Sequence, residues 1–477
     1  MKILVVALST LTIYLSASTV YGNSLRDIYE LALENDAQLK AEEATYLANR
    51  ETENLSRSAL LPQVSTGYTY EDSETDTKGF GPDFTKPGLP QVQTKRNLDT
   101  DTDGYFLTLN QALFDLSAWF SFQSGKQITK QAEAIFASDQ QDLIVRTVDA
   151  YLQVLRAQDN LSASSAQERA FERQLEQTQQ RFEVGLIAIT DVYEARAARD
   201  LAQVERLVDE NNVQVALEGL TVLTGQPNHG DLNVLVDDFE IRPPVPADRA
   251  AWVDFSLASN FQLLAARYQE EAARQTAKSN AAGHAPTVTG SYQYSDYDVS
   301  GSQTITPATG FGTDPKASTD QHMWKIEVTL PLYSGGAVSA NRRKAAQEYN
   351  AAVENRINLQ RNIVTNTRSL HMTVVSDVSR IAARKQSIVS SKSSLDATQA
   401  GYEVGTRNVV DVLNAQNTLF SAERDYANSR YDYILDMMNL KQQAGLLSPE
   451  DVLRLDSFMV PPTSAAAASV IGTTKIK

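Results

Sequence analysis

Residues 126–184 and 337–400 contain neither glycine nor proline. Few folds can accommodate such runs. As single helices they extend roughly 90–95 Å at about 1.5 Å per residue, which is more than the core of an ordinary globular domain can cover. Helices of that length need partners along their whole course, and the apolar spacing supplies the geometry. Val374, Ile381, Ile388 and Leu395 fall seven apart with Val378 between them, and Val154, Leu161, Glu168 and Leu175 occupy the same steps 220 residues earlier. Ile144, Val148, Tyr151 and Leu155 step by four, three and four. The spacing predicts coiled-coil packing.

That correspondence is one part of a duplication. RFEVGLIAITDV at 181–192 returns as GYEVGTRNVVDV at 401–412, an offset of 220. LPQVSTGYTYED at 61–72 returns as APTVTGSYQYSD at 285–296, an offset of 224, and FLTLNQALF at 106–114 aligns with KIEVTLPLY at 325–333, an offset of 219. The shift places a variable loop at about 71–104 that is longer than its counterpart at about 295–323. The expected organisation is a signal peptide at 1–22, a first repeat at 23–230, a linker at 231–249, a second repeat at 250–447 and a C-terminal segment at 448–477. The first repeat holds strands at about 62–72 and 104–114 and a hairpin turn at about 184–190. The second holds strands at about 286–296 and 324–333 and a turn at about 404–408.

The strands alternate with period two. Val64, Thr66, Tyr68 and Tyr70 share one face, as do Tyr105, Leu107, Leu109 and Leu113; Val288, Tyr292 and Tyr294; and Trp324, Ile326, Val328, Leu330 and Leu332. Each run is about ten residues, the length that a tilted strand needs to cross a bilayer, with aromatics gathered toward the loop side as an interfacial girdle requires. Four strands cannot close a barrel, and open edges in lipid leave backbone groups unpaired at several kcal/mol each. Closure needs several chains: two copies supply eight strands and three supply twelve, which leave a water-filled lumen. Strands of this kind belong in a bacterial outer membrane, with the helices running down into the periplasm.

Composition narrows the chemistry. There is no cysteine, so disulfides, thiolate catalysis and an N-terminal lipidated cysteine are excluded. The formal charge is −16, and −17 once Lys2 leaves with the leader, which argues against a nucleic-acid partner. The four histidines (His229, His284, His322, His371) are scattered, and no hydrolase, zincin or phosphate-loop motif is present, so neither an enzyme nor a cofactor or metal site is expected. The competing structural reading is a non-conducting periplasmic coiled-coil scaffold, which explains the helices but not the amphipathic strands.

Taken together, SLRDIYELALENDAQL, SALLPQVSTGYTY, LNQALFDLSAWF, QRFEVGLIAITDVYEARA, GHAPTVTGSYQYSD, LPLYSGGAVSANRRKA and GYEVGTRNVVDVLNAQNTLFSAERDYANSRYDYI resemble the TolC family of outer-membrane efflux proteins, over nearly all of the chain after the leader to about residue 455. The resemblance implies an α+β membrane protein: a homotrimer whose protomers each give four transmembrane strands to a twelve-stranded barrel, continued by a coiled-coil periplasmic tunnel. It also implies docking to an inner-membrane transporter through a periplasmic adaptor protein, for efflux or type I secretion.

The repeated turns then become the candidate site. Gly185 and Gly405 lie where one helix stops, a place for positive φ. Asp191 and Asp411 lie in the first turn of the next helix, where the dipole favours a carboxylate by about 0.3–1 kcal/mol. Arg407 stands where the first repeat has Ile187, and Tyr402 where it has Phe182. If the second hairpin leans inward, Arg407 can meet Asp191 or Thr190, and Tyr402 can meet Asp191. The resemblance implies a periplasmic gate of Tyr402, Arg407, Thr190, Asp191 and Gln174, with Asp411 lining the narrowest ring. Asn414 and Gln399 stand where the family pattern has acids. It also implies that the hairpin tips, Val184-Gly185-Leu186 and Val404-Gly405-Thr406, receive the adaptor.

Overall fold

A computed structural model describes residues 24–227, 231–308 and 313–462. The expected signal peptide lies outside these residues, as does most of the low-complexity C-terminal end. The chain divides into two compact units, one built from Thr45–Ile135 and Gln262–Leu359, the other from the described parts of Met1–Ala44, Phe136–Phe261 and Gln360–Lys477. Each unit draws on both halves of the duplication.

The first unit is organised by an antiparallel sheet of β1 (Gln63–Pro82), β2 (Gln91–Phe114), β4 (Thr287–Thr306) and β5 (Lys316–Thr329), in the order β1-β2-β4-β5; β3 (Val234–Leu235) belongs to the other unit. The two halves of the sequence meet at the β2–β4 pairing. Its register aligns the apolar positions predicted strand by strand. Val64 lies opposite Leu109, Leu109 opposite Tyr292 and Tyr292 opposite Trp324. Thr66, Leu107, Tyr294 and His322 form the adjoining row, and Val288 opposite Val328 forms another. The opposite face is polar: Ser65 and Thr108 hydroxyls bond at 2.6 Å, and Gln293 shares their row. Val64, Tyr68, Tyr70, Trp324, Ile326 and Val328 are all exposed.

The strands are longer than their hydrophobic pattern. The predicted loops at about 71–104 and 295–323 are mostly ladder, and the β1–β2 connection shrinks to residues 83–90. Past Tyr70 and Tyr294 the residues are mostly Asp, Glu, Ser, Thr and Gly, with Phe80, Tyr297, Val299 and Ile305 only scattered among them. Neither face is apolar there, so the period-two signal disappears while the backbone pairing continues. β5 corrects the expectation in the other direction. It ends at Thr329 rather than 333, because Pro331 has no N–H to give to a ladder.

Most of α2 (Ala37–Ser58) and of α6 (Phe261–Ala281), the first part of α3 (Leu116–Glu183) and the first part of α7 (Ala337–Glu403) complete this unit. α3 starts ten residues before the predicted run and contains Gly125. The glycine is there for proximity: a Cβ at 125 would stand 2.1 Å from the Ser56 hydroxyl oxygen. Small polar residues hold α3 to α6, with Ser124 donating to the Ala272 carbonyl at 3.0 Å and Ser117 and Ser121 each 2.9 Å from the Ser279 hydroxyl.

The second unit contains α1 (Leu25–Asn35), the rest of α3, α4 (Ile189–Thr224), α5 (Arg249–Ser259), most of α7 (Ala337–Glu403), α8 (Val409–Gln443), α9 (Pro449–Asp456) and a two-residue ribbon of β3 (Val234–Leu235) and β6 (Met459–Val460). Its core takes Leu25, Ile28, Val148, Tyr151, Leu152, Leu155, Val374, Leu440 and Val452, with the predicted heptad positions Val154 and Ile381 among them. The Tyr151 hydroxyl, deep in that core, donates to the Asn233 carbonyl at 2.8 Å. A smaller core lies near the hairpin ends: Phe171, Ala195, Ala202, Tyr402, Val409, Val412 and Leu413. No helix among the described residues is long and apolar enough to cross a membrane.

Candidate gating site at the hairpin tips

Both turns close in the same way. Gly185 (φ 77°) and Gly405 (φ 80°) adopt the left-handed conformation, which an L side chain resists. The next amide reaches back across each turn, Leu186 N–H to the Arg181 carbonyl and Thr406 N–H to the Gly401 carbonyl, at 2.9 and 2.8 Å. These bonds are the Schellman closure of a helix C-terminus. Val184, Leu186 and Val404 project from the tips, 68–76 % exposed, and Gly185, Gly405 and Thr406 are exposed beside them.

The helices that leave the turns start differently. Asn408 caps α8: its side-chain oxygen accepts from Asp411 N–H at 2.8 Å, and the Asp411 carboxylate accepts from Asn408 N–H at 3.3 Å. This reciprocal capping box engages Asp411, and Arg407 adds an ion pair to it at 3.8 Å. In the first hairpin the cap position is Ala188, which offers no side-chain bond. Asp191 therefore keeps a half-buried carboxylate without an ion-pair partner among the described residues. Thr190 is exposed beside it.

Within one chain, the expected links from Arg407 to Asp191 or Thr190 and from Tyr402 to Asp191 are not made. Arg407 turns to Asp411, four residues ahead on its own hairpin. Tyr402 turns into the small core, 5 % exposed, with its hydroxyl unpartnered. The Arg181 guanidinium lies over its ring, 4.6 Å from the centroid. Gln174 is also buried, its side-chain amide nitrogen unpartnered. Sequence reasoning missed Arg181 and Asn408. Both stand out in the aligned repeats, where Arg181 faces Gly401 and Ala188 faces Asn408.

Farther along the same helices, acids crowd together. Asp377 on α7 is fully buried, 2.7 Å from Arg380 Nη2, and Asp432 on α8 takes Arg156 of α3 at 2.6 Å. Burial and then the adjacent Asp436 carboxyl push the Asp377 carboxyl up to about 6. The folded chain thus binds a proton that the unfolded chain releases between about pH 4 and 6. Stability associated with this group is present at low pH and is lost as pH rises through 6. Asp377→Asn is expected to stabilise by roughly 1–3 kcal/mol at pH 8 and by nearly nothing at pH 4. Thermal unfolding at the two values checks it, and an equal shift at both would rule it out.

Comparison with known proteins decides the family. The family model described as outer membrane efflux protein matches residues 28–226 and 252–446. The chain belongs to this family. It is 34% identical over 461 residues to the outer membrane protein TolC of Escherichia coli, covering 95% of this chain and 88% of that one. It is likewise 34% identical over 445 residues to the TolC of Vibrio cholerae, at 92% and 95% coverage. The alkaline protease secretion protein AprF of Pseudomonas aeruginosa is 30% identical over 437 residues, 91% of this chain and 86% of AprF. Among solved structures, CusC superposes with a TM-score of 0.72 at 15% identity over 89% of this chain and 92% of its own. VceC of Vibrio cholerae gives 0.69 at 18% identity, covering 88% and 96%. The protein is an outer-membrane efflux channel, and its fold is the one that this family shares.

Proposed function

We propose that three copies of this chain close a twelve-stranded barrel in the outer membrane, which continues as a helical duct through the periplasm. Through a periplasmic adaptor seated on the hairpin tips, the duct serves an inner-membrane transporter in efflux or type I secretion. The observation that carries this reading is the register of the sheet. It brings the apolar and aromatic residues of four strands onto one face yet leaves the outer edges of β1 and β5 unpaired among the described residues. In lipid those edges need partners, and another copy offers β1 to β5. A second surface asks for the same thing. Leu201, Val208, Val215 and Val222 recur every seven residues along α4, with Val204 between, each more than half exposed. A heptad stripe of this kind is filled by a neighbouring helix. AprF is a protease secretion protein by name, which supports protein cargo as one use of such a duct.

At the periplasmic end, Arg407 and Tyr402 would close against Thr190 and Asp191, with Gln174 and Asp411 lining the constriction. The free Asp191 carboxylate and the exposed Arg407 suit a contact made between copies when the tips converge. Single-channel conductance in a planar bilayer tests both the pore and the gate. Wild type is expected to pass small steps that grow severalfold in Arg407→Ala. Steps of equal size would keep the pore and move the constriction elsewhere. Silence from both would favour a non-conducting scaffold.

A further inference from the structure

We propose, resting on the reading of the sheet as one third of a barrel, that Arg96 determines ion selectivity at the exit of the duct. Three copies would put a ring of guanidinium groups on the lumen wall near the outer mouth. Arg96 lies on β2 opposite Thr77 and Ile305. The pairing with β1 runs unbroken from Thr108, which bonds Ser65 on the polar face, to Arg96. Side chains alternate along a strand, so Thr108 and Arg96 share that face. Arg96 lies nine residues past Tyr105, or about 30 Å at roughly 3.3 Å per residue, close to the β1–β2 connection. Its neighbours hold it there. The Gln303 side-chain amide, turned to satisfy both ends, accepts from Arg96 Nε at 2.9 Å and donates to the Thr313 carbonyl at 3.1 Å. Asp314 accepts the Gln303 backbone N–H at 3.0 Å. The guanidinium is exposed and makes no ion pair among the described residues.

Beyond the tyrosine row the two faces of the sheet separate by charge. Asp72, Glu74, Asp99, Asp101 and Asp103 stand on the face of Val64 and Leu109, and Lys95 joins them there, paired with Asp76 at 3.0 Å. On the lumen face of the same stretch, Glu71 and Arg96 are the charged residues among the described strands. Thr77, Leu98, Thr100 and Val299 are typical of the rest. Glu71 lies opposite Thr102, about 20 Å from Arg96 along the strand, which is roughly two screening lengths at 0.1 M salt. The sheet also curls toward the lumen. Val299, Gln303 and Ile305 are half-buried, whereas Asp298, Ser302 and Thr304 on the other face are exposed. A lone cation on an uncharged, concave wall sets the local potential. Rings of Arg or Lys in a pore favour anions, and an arginine keeps its charge at every working pH. The exit thus draws anionic groups and disfavours cations.

Reversal potentials of the full-length protein in planar bilayers test this, across a KCl gradient with the dilute solution on the side of the strand connections. At about 10 mM salt the screening length there is about 30 Å. Arg96→Glu should raise the cation-to-anion permeability ratio by roughly three- to sevenfold, the effect of changing the local potential by about one to two kT. Arg96→Gln should fall between it and wild type. Lys95→Glu makes the same change in net charge one residue along, on the outward face, and should leave the ratio near wild type. With the gradient reversed, about 0.1 M salt at the mouth cuts the screening length to about 10 Å, and the Arg96→Glu effect should shrink. Thermal unfolding confirms that each variant folds. Equal shifts from Arg96→Glu and Lys95→Glu would refute the ring, because only net charge would then be sensed. A conducting channel whose ratio Arg96→Glu leaves unmoved keeps the barrel and removes Arg96 from selectivity. If wild type conducts nothing, the barrel reading fails and the ring falls with it.

Discussion

Ile326→Arg is expected to prevent stable insertion of the barrel, whereas Glu327→Arg, one residue along, should leave it nearly intact. Ile326 is 74 % exposed and shares its face with Trp324 and Val328. Glu327 lies on the other face, opposite Thr289 and ion-paired to Lys325. A cation on the lipid-facing side near the bilayer midplane costs roughly 2–4 kcal/mol, and the proposed trimer would incur it three times. On the lumen side the same cation remains in water. Folded protein recovered in the outer-membrane fraction measures the difference. Equal losses from the two variants would mean that the apolar row does not face lipid, and the barrel reading would fail.

The largest single loss expected in the helical unit comes from Asp36→Ala, at about 3–5 kcal/mol. Asp36 joins α1 to α2 and is nearly fully buried. Its carboxylate takes Arg146 Nη2 at 2.8 Å and the Leu39 amide at 3.0 Å, so that one side chain serves as ion-pair partner and helix cap. Alanine leaves Arg146 with the half-exposed Asp142 alone and removes the cap, a further cost of about 1 kcal/mol. Burial pushes the Asp36 carboxyl up, but the bonds from Arg146 and the Leu39 amide outweigh it and hold the group below the usual carboxylate range. The stability it supplies is complete above about pH 4 and is lost as pH falls through the lowered value. Asp36→Ala should therefore lower the unfolding temperature strongly at pH 7 and progressively less as pH falls below about 4. A loss independent of pH would assign the effect to packing alone. Asp377 has the opposite sign, so the two variants separate along the pH axis.

The proposed adaptor surface and the proposed gate differ in how much of them a sequence can disclose. The tips are legible because a left-handed glycine followed by a first-turn acid is a local requirement, and Gly185 and Gly405 meet it where the duplication places them. The partner of Tyr402 is not legible, because Arg181 and Tyr402 lie 221 residues apart and no local rule links them. Asp411 shows the intermediate case. Its place in the first turn of α8 could be read, but its bond to the Asn408 cap leaves it less free than Asp191, which the sequence presents as its equivalent.

By itself the sequence determined the features that depend on period and on single-residue conformation. These are the two very long helices, the turns between helices, the duplication, and the face of each strand that carries Val64, Leu109, Tyr292 and Trp324. It carried them because alternation, heptad spacing and positive φ are properties of neighbours along the chain. Only the tertiary structure decided the strand lengths past Tyr70 and Tyr294, the glycine inside α3, the drawing of each compact unit from both halves, and the pairing of Arg181 with Tyr402. Each of those depends on what lies across from a residue, and that is settled only when distant segments come into contact.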